Sequence, residues 1–160
     1  MQYKEMNNRK VDIHTYVPVL KELIEQGRDV CITITGNSMS PFLVHERDQI
    51  LIVKPEGMLK KGDMAFYQRK NGEYVMHRVC KTNQKNLYWF VGDAQTFVEG
   101  PIVQDQIFGT VKAVKRKGRW IYPGDICWEF FRTIWLWLIP VRPVLGRIYR
   151  KWIAYAGIIR

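Results

Sequence analysis

Cysteine is scarce in this 160-residue chain and never closely paired: Cys31, Cys80 and Cys127 stand far apart, with no CxxC. An odd, scattered set argues for reduced thiols rather than a disulfide framework, and for a cytoplasmic setting. Histidine is as sparse. His14, His45 and His77 are isolated, no cluster has the spacing of metal ligands, and neither a metal nor a cofactor is expected. Long apolar runs are missing too, none reaching the roughly 18 residues of a membrane-spanning helix. The polar opening, Met1 to Lys10, does not read as a secretory signal. Acidic side chains thin out towards the end: residues 101–160 hold 3 of the 15, against 11 of the 25 basic ones. That stretch therefore carries +8 of the net +10, and it alone points to an anionic partner.

What is present suits a folded core. Apolar residues make up 47% and aromatics 13%, which argues against disorder, and the length suits one ordinary domain. Val11 to Gln26 reads as a short helix ending at Gly27, with Val17, Leu20, Leu23 and Ile24 at helical spacing. From Val30 to Tyr122 the pattern is β. Strands are expected at Val30–Thr35, Gln49–Lys54, Met64–Arg69, Tyr74–Lys81, Leu87–Gly92, Gln106–Lys117 and Arg119–Tyr122. Asn71-Gly72 and Lys117-Gly118 supply hairpin turns. The expected fold is mainly β, a compact sandwich or partly open barrel. It divides into an N-terminal arm and helix (1–28), a β domain (29–122) and a basic, aromatic-rich helical segment (123–160).

Three polar residues stand out. Ser38 lies in Gly36-Asn37-Ser38-Met39-Ser40-Pro41, just past a strand end, in a turn whose backbone can approach another chain closely. There a hydroxyl can project while backbone N–H groups point at a developing oxyanion, although a turn serine also commonly bonds its own backbone. Alternation in Tyr74–Lys81 puts His77 with Val75 and Val79 on one face, against Tyr74, Met76, Arg78 and Cys80 on the other. A histidine so placed is either a satisfied core residue or, desolvated and neutral, a general base. Asp93 follows Gly92 at the end of an aromatic-rich strand, as a turn former or as a carboxylate within reach of a neighbouring strand.

The order Gly36-Asn37-Ser38-Met39-Ser40-Pro41, Arg47-Asp48, Gly62-Asp63-Met64, His77-Arg78-Val79, Gly92-Asp93 and Ile107-Phe108-Gly109-Thr110-Val111 resembles one serine peptidase superfamily. It is that of type I signal peptidases and LexA-type self-cleaving repressors. The resemblance implies a β catalytic fold in which Ser38 attacks a peptide carbonyl. His-Arg-Val is similar to the archaeal and endoplasmic-reticulum signal peptidases, which use a histidine base. Carried over, His77 takes the proton of Ser38, Asp93 orients the imidazole, and backbone N–H groups at Ser38 and around Gly36 form the oxyanion hole. A second acidic residue found in some relatives has Glu99 as its nearest counterpart. The Gly-x-Ser-Met form follows the repressors, while neither their DNA-binding helices nor a signal-peptidase anchor is seen in the sequence.

The implied function is a serine endopeptidase acting on an extended peptide or protein segment. Processing of leader peptides from small ribosomally made precursors, self-cleavage in a stress response through the arm Gln2 to Lys10, and a non-catalytic binding module are the competing readings. Nucleic acid is not expected as a partner, because the basic end lacks the strand pattern of single-strand binders. In 123–160 a helix is expected from Asp125 through Ile139, ended by Pro140 and Pro143. A second follows, with Arg147, Arg150 and Lys151 together and Leu145, Ile148, Trp152 and Ile153 elsewhere. Aromatics beside arginines suit a helix lying peripherally in an anionic membrane surface; packing on the β domain or on a partner is the other reading.

Overall fold

The computed structural model describes residues 13–83, 85–145 and 147–148. The arm Gln2 to Lys10, and Arg150, Lys151, Trp152 and Ile153 of the expected last helix, lie outside the described residues.

The N-terminal periodicity produces helix α1 (Ile13–Glu25), whose Val17, Leu20 and Ile24 are buried. It ends where Gly27 takes φ +77°, letting Gly27 N–H and Arg28 N–H donate to the Ile24 and Leu23 carbonyls. Eight strands follow: β1 (Val30–Thr33), β2 (Gln49–Val53), β3 (Met64–Gln68), β4 (Tyr74–Thr82), β5 (Leu87–Val91), β6 (Glu99–Val103), β7 (Ile107–Arg116) and β8 (Arg119–Ile121). They form one antiparallel sheet in the order β1-β2-β7-β3-β4-β5-β6, with β8 also on β7. The protein is mainly β, as expected, although its strands join one sheet rather than two separate ones. Seven strands match the sequence expectation to within one or two residues. The unexpected one, β6, contains Gly100-Pro101, and proline is tolerated there because β6 pairs only with β5 and leaves its outer side unpaired.

The pleat sorts the core into two clusters. One holds Met64 and Met76, Phe42 and Leu43 from the Ser38 turn, Val17, Leu20 and Ile24 of α1, and Trp128 and Phe131. The other holds Ala65, Tyr67, Val79, Tyr88, Phe90 and Ile102. Trp128 and Phe131 belong to α2 (Ile126–Arg132), which closes over the first cluster; α3 (Ile134–Trp137) and a 3-10 turn (Ile139–Val141) follow. The single helix expected from Asp125 to Ile139 is thus broken at Thr133. There the threonine hydroxyl donates to the Glu129 carbonyl at 2.6 Å and the backbone leaves regular helical angles (φ −117°, ψ −73°). Nor does the Asp125 side chain cap α2, because its Oδ2 accepts from Tyr122 N–H.

Between these layers lies a fully buried ion pair. Arg78 on β4 sends Nε and Nη2 to the two Asp93 carboxylate oxygens, at 2.9 and 2.8 Å, and Nη1 to the Gly62 carbonyl at 2.9 Å. Removing one partner strands the other charge in a dry interior. Asp93→Ala should therefore destabilise the protein by about 3–5 kcal/mol, read as a lower urea midpoint, and a loss under about 1 kcal/mol would show the pair to be dispensable.

Candidate active site

The site grows from two neighbouring residues of β4 that face opposite ways. Arg78 pairs with Val91, so Val91 and Asp93, two residues apart, share the Arg78 face. His77 faces the other cluster. The expectation that Asp93 orients His77 is therefore corrected: both Asp93 carboxylate oxygens belong to Arg78, on the wrong side of the pleat.

On the His77 face stand Tyr67 and Glu99. The hairpin between β3 and β4 pairs Ala65 with His77 and Tyr67 with Val75, which brings the Tyr67 hydroxyl to 3.2 Å from His77 Nδ1. Tyr67 is fully buried and stacks on Phe90 with ring centroids 4.4 Å apart. Glu99 opens β6 opposite Phe90, and its Oε2 accepts the Tyr67 hydroxyl at 2.8 Å. Arg69 closes the row, its Nε and Nη2 meeting the two Glu99 oxygens at 2.6 and 2.7 Å.

Proton bookkeeping assigns the tautomer. The Tyr67 hydroxyl has one hydrogen and Glu99, acceptor-only when ionised, takes it; Arg69 holds the Glu99 carboxyl below the usual range, so it is ionised at neutral pH. Tyr67 can then only accept from His77, which places the imidazole proton on Nδ1 and leaves Nε2 with its lone pair. Burial pushes His77 down to about 4, so the ring is neutral at pH 7; the nearby Glu99 charge opposes that shift and Arg69 adds to it. Burial, reinforced by Glu99, pushes the Tyr67 hydroxyl up, and it stays protonated.

Ser38 reaches this region through its backbone. Its carbonyl accepts Ala94 N–H at 2.8 Å and lies 2.6 Å from where a Gly92 Cβ would stand, so only glycine fits there. Because Arg78 pairs with Val91, His77 is level with Gly92, the residue against which the Ser38 carbonyl sits. The turn is rooted by buried Met39, Phe42 and Leu43. Ser38 itself is half-buried, and among the described residues its Oγ and N–H have no hydrogen-bond partner. Gly36 differs from expectation: its N–H donates to His45 Nδ1 at 3.0 Å, so it is not free to face an oxyanion.

A model of the Peptidase S24-like family matches residues 4–111, about two thirds of the chain. The chain belongs to that family. No curated protein and no solved structure matched. Membership supports a serine peptidase or LexA-like function. The matched stretch of this S24-like protein includes Ser38, Tyr67, His77, Asp93 and Glu99, and stops inside β7.

Of the residues singled out from the sequence, Ser38 and His77 share one end of the β4–β5 pair, Glu99 joins His77 through Tyr67, and Asp93 and Gly36 serve other partners. Sequence reading missed Tyr67 and Arg69. The Asn71-Gly72 turn held the signal, since the hairpin it closes sets a tyrosine two residues from the partner of His77 and on the same face.

The buried, neutral His77 makes stability depend on pH. The unfolded chain protonates this ring near its ordinary 6.5 and the folded protein only near 4. As pH falls between those values the unfolded state takes up the proton first, so stability present above 6.5 is lost, by about 3 kcal/mol in full. Urea midpoints from pH 7 to 4.5 should fall more steeply for the parent than for His77→Gln. Equal slopes would place the ring in water.

Proposed function

We propose that this S24-like protein is a serine endopeptidase in which Ser38 is the nucleophile and His77 the general base, held by Tyr67 and Glu99 rather than by Asp93. One observation carries the reading: the Tyr67 hydroxyl, donating to Glu99, can only accept from His77 Nδ1 and so leaves Nε2 unprotonated. In this mechanism Nε2 takes the Ser38 hydroxyl proton as Oγ attacks the carbonyl carbon of an extended peptide. The tetrahedral oxyanion meets the unengaged Ser38 N–H. The imidazolium formed in that step is stabilised through Tyr67 by the Glu99 carboxylate, and then protonates the leaving amine. Water, activated by the same nitrogen, releases the acyl group from Ser38.

Glu99 and Arg69 supply what an aspartate does in the familiar triad, at one remove. The exposed loop 94–98, with Phe97 three-quarters exposed, leads directly into Glu99.

The test is cleavage of a mixed peptide library, read by mass spectrometry. Ser38→Ala should abolish cutting with the fold retained, whereas Ser40→Ala should cut almost normally. Tyr67→Phe should lower kcat roughly ten- to a hundredfold, because it leaves a buried N–H without its acceptor. Glu99→Gln should cost less than Glu99→Ala, since an amide oxygen can still accept the Tyr67 proton. Undiminished activity in Tyr67→Phe would refute the orienting role, and persistent cleavage by Ser38→Ala would refute the nucleophile.

A further inference from the structure

The segment from α2 to residue 148 has two faces of opposite kind. Its inner face holds the site. Trp128 and Phe131 pack on Phe42 of the serine turn, and Trp135 Nε1 donates to the Asp93 carbonyl at 2.8 Å. Buried Arg142 donates to the Gly92 and Gln95 carbonyls and to that of Trp135, each at 2.8 Å. Among the described residues nothing covers the outer face. Phe130, Ile134, Trp137, Val141, Val144 and Ile148 are all exposed, Trp137 to 82%, and they recur at intervals of four, three, four, three and four. In the sequence they form an apolar stripe at helical spacing, carried across the turns at Thr133 and Ile139–Val141, and Thr133, Ile134, Trp137 and Leu138 line a shallow hollow.

Charge selects the occupant. From Ile134 to Arg160 the chain carries five basic side chains and no acidic one, and four of the five remain when buried Arg142 is set aside. A second copy would bring like charge against like charge. The backbone also breaks, at Thr133 and again at Ile139–Val141, with Pro140 and Pro143 nearby, so it offers no straight helix for interlocking with a partner helix. A fluid anionic surface tolerates both features, and an exposed tryptophan within an arginine-rich segment is the composition found at membrane interfaces. Among the described residues no helix is long and apolar enough to cross a membrane.

We infer that the stripe Phe130–Ile148 docks this protein onto an anionic lipid surface, lying in the interface without crossing it. The inference is independent of the peptidase chemistry, because binding is read apart from cleavage. The full chain is floated with vesicles of phosphatidylcholine alone and with about 30% phosphatidylglycerol added. Binding should be roughly tenfold or more tighter to the anionic vesicles and should weaken as salt is raised. Ile134→Gln/Trp137→Gln should lose roughly tenfold or more of that affinity, and Val144→Gln/Ile148→Gln should behave alike, with melting temperature and peptide cleavage kept. Absence of vesicle binding by the parent would overturn the inference, and so would binding indifferent to both variants or to lipid charge. A parent that is dimeric, free of vesicles and made monomeric by Ile134→Gln/Trp137→Gln would assign the stripe to a second copy instead.

Discussion

The Arg78–Asp93 pair is the junction on which the other parts converge. Its guanidinium reaches the carboxylate beyond β5 and the carbonyl of Gly62 before β3, and stands 5.1 Å from the ring centroid of Phe42 in the serine turn. Two charges removed from water are costly unless nearly every donor and acceptor is satisfied, and here both carboxylate oxygens and the three guanidinium nitrogens have partners. Such a junction tolerates little sliding. It fixes the end of β5, and with it Gly92 and Ala94, the two residues against which the Ser38 carbonyl rests.

A rigid strand end matters because the neighbouring row of hydrogen bonds is a chain of single-proton decisions. Arg69 holds Glu99 ionised, Glu99 takes the Tyr67 proton, and Tyr67 in turn fixes the proton of His77 on Nδ1. Each step depends on the one before. A carboxylate directly on Nδ1 would choose the same tautomer, but it would also raise the imidazole pKa strongly through its charge. With a neutral phenol interposed, burial wins and His77 sits near 4. The ring is thus kept neutral and correctly protonated at once.

Much of this was legible in the chain. Seven of the eight strands, α1 and the facing of His77 with Val75 and Val79 all follow from two-residue and helical periodicity. The identity of the orienting acid does not, because it depends on cross-strand parity. Phe90 pairs with Val79 and with Glu99, which puts Glu99 on the His77 face; Val91 pairs with Arg78, which puts Asp93 on the other. A shift of one residue in register would exchange the two acids, and no motif encodes that register. β6 was hidden for a related reason, since its proline is acceptable only to a strand known to lie at an edge. The break at Thr133 depends on one side-chain hydrogen bond inside an otherwise helical pattern.

The S24-like match ends at Val111, yet the physical unit cannot end there. β7 continues through Arg116, its later residues pairing with β2 and β8, and the loop at Gly92–Gln95 is held from outside by Trp135 and Arg142. Without those two side chains the Asp93 and Gln95 carbonyls would lose these donors, the Gly92 carbonyl would keep only Gln95 N–H, and the strand end carrying the Ser38 contact would be fastened from one side only. The C-terminal segment is therefore scaffold for the serine turn as much as an outward surface. Trp135 and Arg142, on the inner side of that segment, hold the backbone on which the Ser38 carbonyl rests.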